Sequence, residues 1–518
     1  MLRVADGRRR RPVVLVADRG RGKSAALGIA IGRLLRDAPR AIAVVAPRRA
    51  AVEPVFAHAA ATLGIPWTGG NRLAVAGGGL RFVGPAELAE GARGPGERPR
   101  GIADAALVVV DEAAGLPVEL LTRLLRAHPR IVFATTIHGY EGTGQGFAVR
   151  FCGVLDREAP GWRTVRLGAP VRWAAGDPVE AAVFRALLLD AAPVDDGAAA
   201  GASGATVTVE RWDRDGDTAT LRPVFGLLVL AHHRTSPADL ERLLDAPNVS
   251  VWVARQAGAV VATAVIAGEG GFDGATAAAI HAGRRRPPGH LLPETLAMHL
   301  GVAAAPTLRA ARVVRIAVHP AAQGRGIGRA LLAGARGGLA AAGVDWMGAA
   351  FGCTARLLAF WRGAGFEPVR VGVQRGASSG LHAAVVASPL SAAGAEVVAA
   401  ARRRYGRWLP AALGEALAGL DPALAVALLR GAAVRPAGLD ADEAAELARF
   451  AAGGREREAV VDLLARAAPE WLAAGAVTGE DAAALARGIL QRGAADAGRT
   501  AAQARLRATV AAAARRGA

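Results

Sequence analysis

Hydrophobic positions alternate along the first half of the chain between short strand-length runs and longer stretches of helical period. Val13 to Val16 are four apolar, mostly β-branched residues that run directly into a Gly-rich turn, and Ala25 to Arg36 then reads as a helix. Ala41 to Ala46 predicts a second strand and Arg49 to Leu63 a second helix. Leu107 to Val110 and Ile131 to Thr136 are continuous apolar runs, the pattern of strands buried on both faces of a parallel sheet. Gly69 to Gly101, crowded with glycine, arginine and proline, has no clear assignment. Ala191 to Gly216 has the Ala/Gly/Asp/Ser composition of a linker, and apolar sequence resumes at Leu221.

The second half starts differently. Leu227 to Leu230 reads as a short strand closed by histidine, and Asp239 to Asp245 as an amphipathic helix. Val249 to Ala254 and Val260 to Ala267, joined at Gln256-Ala-Gly258, carry a hairpin signature. Val313 to Val318 is a strand that enters a glycine turn and leaves it as a helix through Leu332. Beyond residue 391 the pattern is helical: Leu409, Leu413, Leu417 and Leu420 mark one face, and further helices are expected over about Ala441 to Ala452, Glu456 to Ala467 and Ala482 to Arg516. The pattern predicts an α/β domain over residues 1–190, a linker over 191–220, a second α/β domain over 221–390 and a helical region over 391–518.

Composition narrows this frame. At 518 residues the chain suits roughly three domains of ~150 residues. Its positive mean hydropathy of +0.27 comes from alanine, and no apolar stretch approaches the ~20 residues of a membrane span. The N-terminus, with Arg8 to Arg11, lacks the apolar core of a signal peptide. Cys152 and Cys353 are far apart, so no disulfide framework or disulfide-linked partner is expected, and the cytoplasm is the expected compartment. A net charge of +18 points to a polyanionic partner such as nucleic acid, against the alternative of an arginine-rich solvated surface. Aromatics at 4% give a weak stacking signal, so charge does not choose between RNA and DNA.

Candidate chemistry begins at Val13-Val-Leu-Val-Ala-Asp-Arg-Gly-Arg-Gly-Lys-Ser24, a strand–loop–helix with Ala17 where a phosphate-binding loop usually has its first glycine. Lys23 is the only lysine in the chain. A compact ammonium fits beside β- and γ-phosphates where a planar guanidinium does not, which explains why this position escaped the arginine bias. Gly20, Arg21, Gly22, Lys23, Ser24, Ala25 and Ala26 are the expected contacts to ATP (or GTP). Leu107-Val-Val-Val-Asp-Glu112 ends a buried strand in two carboxylates. Asp111 with Ser24 is expected to hold Mg, and Glu112 to polarise the attacking water. Thr135 and Thr136 offer hydroxyls to a γ-phosphate or simply cap their strand.

A second loop lies after Val313-Val-Arg-Ile-Ala-Val-His-Pro320. Gln323-Gly-Arg-Gly-Ile-Gly-Arg329 carries three glycines between strand and helix, so its N–H groups can face one pyrophosphate at a helix N-terminus. This form resembles the coenzyme A turn of the Gcn5-related acetyltransferase superfamily. A dinucleotide fold is the competing reading, but it requires the glycines directly after the first strand of a βαβ unit.

The two halves together resemble one family. Asp111-Glu-Ala-Ala-Gly-Leu-Pro117, Thr135-Thr136, Gly139-Tyr-Glu-Gly-Thr-Gly144 and Ala169-Pro-Val-Arg-Trp173 are similar to the helicase-like module of the tRNA(Met) cytidine acetyltransferases. Ala231-His-His-Arg-Thr-Ser-Pro237, Arg315-Ile-Ala-Val-His-Pro320, Phe351-Gly-Cys-Thr354, Phe360-Trp361, Gly365-Phe366 and Ala377-Ser-Ser-Gly380 are similar to its acetyltransferase module. The resemblance runs nearly continuously from about residue 13 to 390. It implies a RecA-like P-loop domain, then a Gcn5-related α/β domain and a helical C-terminal region. It also implies ATP-dependent N4-acetylation of a cytidine from acetyl-CoA, most simply the wobble cytidine of elongator tRNA(Met).

On that resemblance Arg172 reaches the ATP phosphates. Ile316, Ala317 and Val318 hydrogen-bond the pantetheine, and Gln323, Gly324, Arg325, Gly326, Ile327, Gly328 and Arg329 hold the pyrophosphate. The cytosine N4 lone pair is delocalised, so positioning and carbonyl polarisation matter more than a strong base. A proton must still leave N4, and His232 is the expected acceptor, with a structural histidine closing the strand as the alternative. His233, where the family has tyrosine, is second. Arg402-Arg-Arg-Tyr-Gly-Arg-Trp408 interleaves cations with aromatics as an RNA strip or an arginine-coated helical face. Departures are also visible. The family has a glutamate at Arg356 and an arginine at Gly363, and Arg356 is assigned to acetyl-CoA. The family's domain before the phosphate loop, with a glutamine for adenine, is expected to be missing. Rival readings are an RNA-remodelling ATPase with a vestigial acetyltransferase half and an N-acetyltransferase of proteins or small amines.

Overall fold

Val13–Ala17 (β1) forms the strand that its β-branched run predicts, and α1 (Lys23–Asp37) comes directly after the glycine loop. The computed structural model describes residues 1–90, 100–136, 144–201, 206–215, 217–231, 237–376, 380–491 and 499–517. Next come β2 (Ala41–Val45), α2 (Glu53–Leu63), β3 (Arg72–Val75), β4 (Gly78–Val83), β5 (Leu107–Val110), α3 (Val118–Ala127), β6 (Ile131–Thr136), α4 (Gly144–Glu158), β7 (Arg163–Leu167) and α5 (Pro178–Ala186). The sheet order is β3-β4-β2-β5-β6-β1-β7. Every pairing from β4 to β7 is parallel, and β3 runs antiparallel at the edge. Strands β2, β5 and β6 are buried on both faces, which explains their unbroken apolar runs.

This order separates β1 from β5 by one strand, β6, the RecA-like arrangement. The C-terminal ends of the three strands share one edge of the sheet: Ala17 is level with Thr136, and Val110 with Phe133. Ligands of open parallel sheets bind at that edge. The segment without assignment, Gly69 to Gly101, contains the β3–β4 hairpin.

Residues 191–220, expected as a linker, are partly structured. They hold α6 (Asp196–Gly201) and β8 (Val207–Arg211), and β8 pairs antiparallel with β9 (Val249–Gln256). The expected strand at Leu227–Leu230 is instead part of α7 (Leu221–Ala231). Val224, Phe225, Leu227, Leu228 and Leu230 are all buried there, and an apolar run buried all round gives the same hydropathy signal in either conformation. After α8 (Pro237–Asp245), β9 turns into β10 (Ala259–Gly270) through Ala257 and Gly258, both at positive φ as a tight hairpin requires.

The second sheet continues through α9 (Leu291–Leu300), β11 (Arg309–Val318), α10 (Ile327–Ala341), β12 (Trp346–Gly352), α11 (Ala355–Gly363), β13 (Glu367–Arg375) and β14 (His382–Pro389). Its order is β13-β14-β12-β11-β10-β9-β8. β11 and β12 are parallel, while β14 runs antiparallel to both β12 and β13.

The C-terminal region is helical: α12 (Ala392–Leu413), α13 (Pro422–Leu429), α14 (Ala441–Ala451), α15 (Val461–Ala474), α16 (Gly479–Leu485) and α17 (Arg499–Gly517). Val397, Val398 and Ala401 of α12 share a core with Leu292, Leu296, Trp346, Val369 and Val385. Contacts gather the chain into two compact units. One is built on Met1–Val265 and Arg315–Leu331; the other holds Ile266–Val314, Leu332–Arg375 and Leu381–Ala518. The units therefore do not coincide with the domain limits expected from composition. Among the described residues no helix is long and apolar enough to cross a membrane.

Candidate functional site

The strand–loop–helix at β1 builds an anion cradle from backbone alone. Gly20 and Gly22 sit at φ 79° and 74°, in the left-handed region that favours glycine. Gly22 caps α1 without any side-chain bond. The N–H groups of Gly22, Lys23, Ser24 and Ala25 make no hydrogen bond among the described residues, so four donors converge at the positive end of a fifteen-residue helix. Ala26 differs from its expected role, because its N–H is bonded to the Gly22 carbonyl at 2.9 Å.

β5 delivers the charges. Lys23 Nζ donates to Asp111 Oδ1 at 2.5 Å and to Glu112 Oε1 at 2.6 Å, and Ser24 Oγ donates to Asp111 Oδ2 at 3.0 Å. Asp111 is fully buried and Lys23 only 7% exposed. Burial works against the ammonium, but the two carboxylates more than offset it and hold the Lys23 pKa above its ordinary value, so it stays charged. Thr136 Oγ1, at the end of the intervening strand, lies 3.4 Å from Glu112 Oε2. Thr135 is buried and points its hydroxyl to the Thr136 carbonyl at 3.4 Å. Lys23, Ser24, Asp111, Glu112 and Thr136 thus meet in one place.

A later segment closes over the loop. Val171 N donates to the Gly20 carbonyl at 3.0 Å, and the Trp173 ring lies so close that a Cβ on Gly20 would meet it at 2.4 Å. Arg21 Nη2 pairs with Glu180 Oε1 at 2.8 Å, and its guanidinium sits 5.8 Å from the centre of the Trp173 ring. Arg21 Nε and Nη1 are buried without a hydrogen-bond partner among the described residues, a donor pair suited to an added anion. Arg172, between Val171 and Trp173, is exposed at the same place. Glu180 carries no signal of a site in the sequence, and Trp173 stands out only as the last residue of the motif that contains Arg172. That the two meet Arg21 and Gly20 is purely tertiary.

The second glycine turn is the same backbone device without a lysine or carboxylate in the turn. Gly324 and Gly326 lie at φ 77° and 79°, and the N–H groups of residues 324 to 328 make no hydrogen bond among the described residues. α10 begins at Ile327 behind them. The ladder between β11 and β12 ends at Val313↔Ala349, so Ile316, Ala317 and Val318 extend beyond it. Gln323 Nε2 donates to the Val318 carbonyl at 3.1 Å, and its own N–H bonds to Pro320 at 3.2 Å. Arg325 turns its guanidinium away, to Gln256 Oε1 at 3.1 Å and the Ala199 carbonyl at 3.4 Å, leaving its N–H for a ligand. Arg329 is exposed, with its N–H on the Gly326 carbonyl.

His232 and His233 lie outside the described residues. Arg356 is exposed in the first turn of α11. The basic strip on α12 loses one aromatic: Tyr405 is fully buried with its hydroxyl 3.4 Å from the Leu428 carbonyl, because the helical period turns it into the core. Arg403, Arg404 and Arg407 remain exposed.

Comparison with known proteins agrees with this two-loop organisation. Residues 14–190 match the family model described as RNA cytidine acetyltransferase NAT10/TcmA, helicase domain, and residues 223–336 and 331–391 match GNAT acetyltransferase 2. A protein of Nitrosococcus halophilus is 49% identical over 490 residues, covering 94% of this chain and 64% of the relative. One of Haloarcula marismortui is 41% identical, covering 81% and 54%, and one of Vibrio cholerae 35% identical, covering 89% and 63%. All three are named tRNA(Met) cytidine acetyltransferase TmcA. The chain therefore spans between half and two thirds of the length of these relatives.

Proposed function

Because the chain belongs to the tRNA(Met) cytidine acetyltransferase family, we propose that it acetylates N4 of a cytidine in tRNA, using acetyl-CoA as donor and ATP hydrolysis as drive. The observation that carries this reading is the presence on one chain of two anion-binding glycine turns, of which the first alone has a buried lysine and two carboxylates. The first turn has the equipment of a hydrolase and the second that of a holder.

At the first turn the free N–H groups of Gly22 to Ala25 and Lys23 Nζ would take the phosphates, with Arg21 and Arg172 at the rim. Ser24 Oγ and Asp111 Oδ2, already 3.0 Å apart, would hold Mg, which would neutralise phosphate charge. Glu112 would orient the attacking water, with Thr136 steadying its other oxygen. At the second turn the N–H groups of residues 324 to 328 would bind the pyrophosphate, and the free edge of Ile316 to Val318 would align the pantetheine. Acetyl-CoA supplies the activated acetyl group. His232, just after α7 in the chain, is the candidate to take the N4 proton. The wobble cytidine of elongator tRNA(Met) is the proposed acceptor, brought out of its stack at a cost of a few kcal/mol. The net charge of +18 suits that partner.

The test is incubation of the protein with labelled acetyl-CoA, ATP and total tRNA. Base-stable label mapping to a cytidine is expected. RNA-stimulated ATP hydrolysis without labelled RNA would favour an RNA-remodelling ATPase instead.

A further inference from the structure

Residues 187–201 have the composition of a loose linker over most of their length, yet they are bound at every stage. Leu188 holds a left-handed backbone, φ 50°, an unfavourable state for a bulky residue, directly after α5. Leu188 and Ala191 are buried in one cluster with Phe225 and Leu240. Ala192 packs on α7 so tightly that a Cβ on Gly226 would lie 2.2 Å from its carbonyl carbon. Two residues on, the Val194 carbonyl meets His319 Nε2 at 2.9 Å. His319 is 2% exposed, and its Nδ1 accepts the Ala321 N–H at 3.3 Å, so Nε2 carries the proton and donates to Val194. Finally the Ala199 carbonyl accepts from Arg325 Nη1 at 3.4 Å, while Nη2 of the same guanidinium is held by Gln256.

Both anchors belong to the second glycine turn: His319 stands at its entrance and Arg325 at its centre. At its other end the segment continues from α5, which carries Glu180, the partner of Arg21 in the phosphate loop. One run of chain therefore has the phosphate loop on one side and the acetyl-CoA turn on the other, and all of it lies in one compact unit. A nucleotide that recruits the two unpartnered nitrogens of Arg21 competes with its hold on Glu180, and so with the position of α5 and of residues 187–201 behind it.

We propose that residues 187–201 are a strap that sets the acetyl-CoA turn according to the nucleotide state of the phosphate loop, with His319 and Arg325 as the positioning residues; this rests on the reading of the turn as an acetyl-CoA site. Linkage makes the effect reciprocal: each ligand changes the affinity of the other by one and the same factor.

Calorimetric titration of the full chain with acetyl-CoA, with and without Mg and a non-hydrolysable ATP analogue, tests it. The wild type is expected to show affinities differing by about fivefold or more between the two conditions, the usual lower bound of such couplings. R325M, which removes both bonds of this half-buried guanidinium, is expected to bring the ratio towards one while leaving the affinity for the analogue alone unchanged. H319A is expected to do the same, and H319Q, which keeps an N–H donor for Val194, to restore part of the coupling. A ratio of one in a wild type that binds both ligands, or an unaltered ratio in R325M, would overturn the strap. Failure of the wild type to bind acetyl-CoA at all would instead overturn the acetyl-CoA reading, and the strap with it.

Discussion

The two glycine turns share one backbone solution in different surroundings. Each comes after a parallel strand, holds two glycines in the left-handed region and opens a helix with N–H groups unbonded among the described residues. They part at the side chains. The first encloses Lys23 between Asp111 and Glu112 and is covered by Trp173; the second has no lysine or carboxylate in the turn and sends its one central cation away. Backbone donors suffice to hold a phosphate, but breaking a phosphoanhydride requires placed charge. A fold that reuses the cradle can therefore give two turns different chemistry by side chains alone.

Removing the charge should separate them most sharply. K23M is expected to lower RNA-stimulated ATP hydrolysis about 100- to 1,000-fold, the loss typical of one preorganised cation facing developing charge. Acetyl-CoA affinity in the absence of nucleotide should be unchanged. The same change leaves Asp111 buried without its counter-charge, and removing one partner of a buried ion pair typically costs about 3–5 kcal/mol. The variant should therefore unfold at lower denaturant concentration, more so without nucleotide. Equal loss at both turns would mean that they are not separable.

The next effect in size lies at the other turn. G326D puts a carboxylate where the pyrophosphate is expected, and like charges in such contact cost several kcal/mol, so acetyl-CoA affinity should fall about 100-fold or more in titration. No described atom lies within 4 Å of a Cβ built on Gly326, so beyond the strain of a side chain at φ 79° the fold has room for the change, and ATP hydrolysis should persist. Unchanged acetyl-CoA affinity would remove the turn from the site.

Both turns were legible in the sequence for the same reason: a backbone nest needs glycines at fixed offsets between a strand and a helix, and that constraint is local. Asp111 and Glu112 were legible because they end a buried strand. The surroundings of the turns were not. Arg21 and Glu180 are 159 positions apart, and nothing local marks either as the other's partner. β8 was hidden by a composition that suits loops, because an edge strand with exposed alternate residues needs little apolar sequence. α7 was misread because complete burial erases the period that separates helix from strand. Tyr405 misled in the opposite way: its basic neighbours suggested a surface, whereas its helical phase points inward.

The smallest contrast compares one substitution at matched positions. Gly20 and Gly324 have nearly the same backbone, φ 79° and 77°. Alanine at either must tolerate the left-handed region, a strain of about 1 kcal/mol, or roughly fivefold in affinity. At Gly324 that is the whole cost, because no atom lies within 4 Å of the new Cβ. At Gly20 the Cβ also meets three atoms of the Trp173 ring at 2.4 to 2.9 Å, so the ring and the bond from Val171 to Gly20 must give way. G20A should then weaken ATP-analogue binding several times more than G324A weakens acetyl-CoA binding. The excess should shrink when G20A is made in a W173A background, where the three nearest atoms are gone; a cycle of the four proteins isolates that coupling. If the two alanines cost the same and W173A changes nothing, the cover over the phosphate loop contributes no binding energy, and the turns differ only in the charges beneath them.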